Sequence, residues 1–85
     1  MEILGKILGS SARVKIMRLF LLNFKNNFNR KDIIKRSRVD HNIVGREIKL
    51  LASVGFIKKH GKVWSFNPLF KYAGEFDNLL VSSDS

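Results

Sequence analysis

Two neighbouring stretches decide the fold: Arg30-Lys31-Asp32-Ile33-Ile34-Lys35-Arg36-Ser37 and Asp40-His41-Asn42-Ile43-Val44-Gly45-Arg46-Glu47-Ile48-Lys49-Leu50-Leu51. Asn29 and Asp40 stand where an N-cap is needed, since their short side chains accept from backbone N–H groups a helix leaves unpaired. Asp32 in the first turn of the earlier helix meets a favourable dipole. Ile33 and Ile34 are that helix's only buried candidates, so it leans on something else. On the later helix Val44, Ile48 and Leu51 recur at spacings of four and three, one buried stripe. That helix runs to about Val54, and Gly55 takes the position just past its end. Arg38-Val39 leaves only a tight connection between the two. The spacing predicts a helix-turn-helix over about 29–54, whose later helix enters the major groove of DNA.

Downstream of Gly55 the period changes from helix to strand. Phe56-Ile57-Lys58-Lys59 and Lys62-Val63-Trp64-Ser65-Phe66 flank His60-Gly61, which reads as a two-residue hairpin turn, a wing at about 56–66. Asn67-Pro68 closes it. Leu69, Tyr72, Ala73, Phe76, Leu79 and Leu80 then repeat at helical spacing and predict a last helix over about 69–81. Upstream, Ser10 or Ser11 caps a helix over 11–23 that buries Ile16, Met17, Leu19, Phe20 and Leu21 and leaves Arg13, Lys15 and Arg18 wet. Residues 23–29 read as a turn from which Phe28 reaches into the core. Residues 2–8 have the spacing of a short helix, weakened by Gly5 and Gly9.

Helix, short helix, tight turn, longer helix and basic hairpin follow one another in the order of a winged helix-turn-helix. The chain resembles the prokaryotic regulators of the ArsR-like and MarR-like kind. The matching stretches are Ser10-Ser11-Ala12-Arg13-Val14-Lys15-Ile16, Arg30-Lys31-Asp32-Ile33-Ile34, residues 40–51 and Gly55-Phe56-Ile57-Lys58, within roughly 8–67. The resemblance implies a mainly α fold with a small β-hairpin and a DNA-binding transcription regulator. The opening is also similar to small winged-helix domains associated with minimal nucleotidyltransferases, which implies a separate nucleotidyltransferase as a possible partner. Winged helices also serve as protein-interaction modules, the alternative function.

The 85 residues allow one domain, 1–85, with a core small enough that dimerisation matters. Sixteen Lys and Arg against seven Asp and Glu give a net charge of +9. All sixteen lie within residues 1–71 beside four acidic groups, so that part carries +12, while 72–85 carries −3. A domain this basic calls for a polyanionic partner, double-stranded DNA first and an anionic membrane surface a distant second. No apolar run approaches the ~18 residues of a membrane span, and the first residues lack the pattern of a secretory signal. The chain has no Cys, which excludes thiolate metal sites and fits a reducing cytoplasm.

The candidate site residues fall into three sets. At about 100° per residue, Asn42, Arg46 and Lys49 lie within roughly 60° of one another, nearly opposite Val44, Ile48 and Leu51. These three suit base edges, with Gly45 at their border and His41 at the helix start placed to meet phosphate. Arg30, Lys31, Lys58, Lys59, His60 and Lys62 are expected on the phosphate backbone. Trp64 reads as core or interface before it reads as a stacking platform. Leu4, Leu8, Phe70, Phe76 and Leu80 are expected to form a homodimer seam. No catalytic arrangement, cofactor loop or metal-ligand set is legible: His41 and His60 are too few for zinc.

Overall fold

The computed structural model describes residues 11–72, 74 and 75. Among them are three helices, α1 (Ser11–Leu22), α2 (Arg30–Ser37) and α3 (His41–Ser53). Three strands, β1 (Phe28–Asn29), β2 (Ile57–His60) and β3 (Val63–Phe66), form one antiparallel sheet in the order β1-β3-β2.

Local chemistry sets most boundaries. Asn29 and Asp32 close a capping box on α2: the Asp32 amide donates to Asn29 Oδ1 at 2.8 Å and the Asn29 amide to Asp32 Oδ2 at 3.4 Å. Asp40 caps α3 by accepting from the Asn42 amide at 3.0 Å. Gly55, at φ 84°, ends α3 in a Schellman motif: its amide donates to Ala52 O at 3.1 Å, and the Phe56 amide to Leu51 O at 2.9 Å. At the level of architecture the chain is a mixed α/β unit, three helices packed with a three-stranded antiparallel sheet.

Four details differ from the sequence expectation. The stretch 23–29 is not all turn: Phe28 and Asn29 pair with Trp64 and Val63, adding a third strand. Phe28 also meets Phe20 edge to face at 5.6 Å between ring centroids. The hairpin turn is Gly61-Lys62 rather than His60-Gly61, because His60 pairs with Val63. Gly61, at φ 64°, takes the first central position, the glycine place of a type II′ turn. Arg13 is not fully wet but half-buried against α3. The fourth concerns the last helix, which does not begin at Leu69. Asn67 instead folds the chain into a turn, accepting from the Leu69 amide on Oδ1 at 3.0 Å and from the Phe70 amide on its carbonyl at 3.0 Å. Helical backbone is present at Gly74 and Glu75. The remainder of the expected 69–81 helix, and the expected 2–8 helix, lie outside the described residues.

The core fills the space between the helices and one sheet face, with Ile16, Phe20, Ile33, Val44 and Phe56 fully buried. Each such side chain contributes about 1.5–3 kcal/mol by leaving water. Ser37 is buried with them and is satisfied: its hydroxyl donates to Ile33 O at 2.5 Å and accepts from the Val39 amide at 3.3 Å. The packing therefore fixes α2 and α3 against α1 and the hairpin.

Candidate nucleic-acid interface

Strand register sorts the basic hairpin into two faces. Residues directly opposite one another share a face, so Phe28, Trp64 and Lys59 lie on one side, with Ile57 and Phe66. Phe28, Ile57 and Phe66 are buried, so this side meets the helices. Lys58, His60, Val63 and Ser65 lie on the other. There His60 Nε2 sits 3.1 Å from Ser65 Oγ, which holds the ring to the outer face. Lys62 is in the turn. The hairpin cations thus do not form one cluster: Lys59 points inward toward α3, while Lys58 points away.

A groove of about 610 Å³ opens between α3 and the inner side of the hairpin. Gly45, Ile48 and Ala52 form its floor, Trp64 is a wall, and Arg30, Lys49 and Lys59 bring positive charge from three different elements. Among the described residues no carboxylate lines it. The Lys59 ammonium stands 5.6 Å from the Trp64 ring centroid, a cation–π contact. Gly45 lines this groove together with Lys49. A Cβ built there would lie 2.7 Å from Arg30 Nη2, so the missing side chain is where the guanidinium rests. From that place Arg30 Nη2 donates to His41 O at 3.2 Å, joining the start of α2 to the start of α3.

Asn42, Arg46 and Lys49 are all exposed on α3, together with His41. Only Lys49 of these lines the groove; Arg46 lies about 100° round the helix from Gly45, toward open solvent. Lys31 is exposed in the first turn of α2. His41 Nδ1 is 3.9 Å from Asp40 Oδ1. Of the expected dimer seam, Phe70 is half-buried and meets Phe56 edge to face at 5.2 Å, so it packs within its own chain. Leu4, Leu8, Phe76 and Leu80 lie outside the described residues.

One contact that orients α3 was missed in the sequence. Glu47 is buried on the core side of the helix, and Arg13 Nε donates to its Oε1 at 2.6 Å while Nη2 reaches Oε2 at 3.3 Å. The hydrogen bond to Glu47, and the charge of Glu47, hold the Arg13 guanidinium above its already alkaline range despite partial burial. The signal was present: at 100° per residue Glu47 falls about 60° from Val44, inside the buried arc, where a carboxylate needs a cation. This two-point pairing resists rotation of α3 about its own axis.

No family model, curated protein or solved structure matches this chain. Among the described residues no three His, Cys, Asp or Glu side chains gather where they would hold a metal ion. Among the same residues no helix is long and apolar enough to cross a membrane.

Proposed function

We propose that the protein is a non-catalytic, DNA-binding transcription regulator of the winged helix-turn-helix kind, acting in the cytoplasm. The observation that carries this reading is the groove in which Arg30, Lys49 and Lys59 converge from α2, α3 and β2, with no carboxylate lining it among the described residues. A duplex backbone supplies closely spaced negative charges to such a set, and guanidinium and ammonium groups on separate elements fix its register. α3 then lies in the major groove, with Asn42 and Arg46 offered to base edges: Asn suits adenine and Arg suits guanine. Lys31 and Lys62 flank the backbone contacts.

The test is the salt dependence of duplex binding. With ~6 phosphates neutralised, log affinity falls against log salt with a slope near −5, about −0.9 per phosphate. A duplex affinity indifferent to salt contradicts the reading. Competition between duplex DNA and structured RNA separates it from RNA binding.

A second reading, a protein-interaction module, is favoured by one feature. An apolar groove of about 360 Å³ is lined by Met17, Leu50, Val54, Phe56, Phe70 and Tyr72, and of these Leu50, Val54 and Tyr72 are exposed. Homodimerisation, or a separate nucleotidyltransferase, would draw on such a surface. Sedimentation of the protein alone at several concentrations reads the homodimer directly.

A further inference from the structure

A second basic groove shares no lining residue with the first. About 510 Å³ in volume, it runs between α1 and the C-terminal end of α2, where Lys15 and Arg18 face Arg36 and Arg38. Among the described residues no carboxylate lines this groove either. Arg30 opens α2 and Arg38 follows its end, so the eight residues of that helix set the two grooves about 12 Å apart along its axis.

The identity of the residue at 38 is the second observation. Arg38 adopts φ 58°, a left-handed conformation that glycine or asparagine takes at far lower cost. Its side chain is exposed, so burial does not account for the arginine. What the choice does provide is a guanidinium at the rim of a groove already holding three cations. Arg36 is fixed beside it, stacked over the Phe28 ring at 5.2 Å. Three of the four cations are arginines, whose forked donors match phosphate oxygens two at a time.

We propose that this groove is a second site for the DNA backbone, so that one molecule holds two duplex segments together. The proposal rests on the preceding reading that duplex DNA is the partner. A molecule held on one segment by α3 and the hairpin presents the α1/α2 groove to a neighbouring segment at high effective concentration, so modest contacts there suffice.

The experiment fixes a short duplex to beads, loads the protein, and measures capture of a second, fluorescent duplex. Binding of a single duplex is followed in parallel by anisotropy. Wild-type protein captures the second duplex, with capture lost as salt rises. The variant Lys15→Glu with Arg38→Gly changes two exposed residues; it should lower capture ~10-fold or more while single-duplex affinity falls by less than ~3-fold. Lys15→Ala with Arg38→Asn, which keeps a residue tolerant of the left-handed backbone, guards against a folding artefact and should lower capture in the same direction. Capture by either folded variant at the wild-type level overturns the proposal. Wild-type protein that binds one duplex and captures no second one overturns it too, leaving the interface reading intact. Wild-type protein that binds no duplex overturns both.

Discussion

The Arg30 guanidinium lies over Gly45, with Nη2 at 2.7 Å from where a Cβ would stand, and is anchored on His41 O at 3.2 Å. A residue that weakens a helix interior is thereby tied to the position of a cation from the preceding helix. Gly45→Ala separates the two effects. Alanine favours the helix by about 1 kcal/mol, and the exposed end of Arg30 swings away more readily than α3 moves. The variant should therefore melt higher yet bind duplex several-fold more weakly. Thermal unfolding and anisotropy measured on the same sample check both signs.

The two faces of the hairpin predict unequal lysines. Lys59 lines the groove, whereas Lys58 lies on the outer face with His60. Lys59→Ala should cost more duplex affinity than Lys58→Ala, and should reduce the salt slope by about one phosphate contact. The triple change of Lys58, Lys59 and Lys62 to Ala should flatten the slope for all sequences alike.

Glu47→Gln tests the brace between α1 and α3. It removes the Glu47 charge from beside the half-buried Arg13 and should destabilise the fold by about 1–3 kcal/mol, read by denaturant unfolding. The Arg13 charge persists to strongly alkaline pH because its range is raised further by Glu47. Its stabilising effect is present below the range of the unfolded arginine and fades only as pH climbs through the folded one. Stability between neutral and mildly alkaline pH should therefore be insensitive to this pair.

Arg46 carries the test of base reading. Arg46→Ala should cost about 1–3 kcal/mol on a preferred duplex and relax preference at one or two positions. Arg46→Lys keeps the charge but not the fork, and should restore general binding without the preference. Equal loss on preferred and scrambled duplexes would make Arg46 a phosphate contact.

What was legible in the sequence was what is decided locally. Asn29, Asp40 and Gly55 cap or end their helices through atoms within a few residues, and the Val44–Ile48–Leu51 stripe follows from helical period alone. Strand β1 was not legible, because two residues carry no period and Phe28 is made a strand by Trp64, far along the chain. Likewise Arg13 and Glu47 meet across 34 positions, so a wet arginine was the natural expectation until α1 and α3 are packed. The hairpin was legible but its turn moved by one residue, since glycine next to either neighbour satisfies the same composition. At the site, the cations were identifiable by type and helical angle. Their division between the inner and outer faces of the hairpin required the register.

Occupation of the groove between α3 and the hairpin by duplex DNA can be read residue by residue. The most direct measurement is a nuclear magnetic resonance titration with duplex DNA, following backbone amides and the indole N–H of Trp64, the only tryptophan in the chain. At saturation the largest shifts should fall at Gly45, Lys49, Lys59 and the Trp64 indole, all lining one groove. Saturable binding that leaves those four signals unmoved would contradict it.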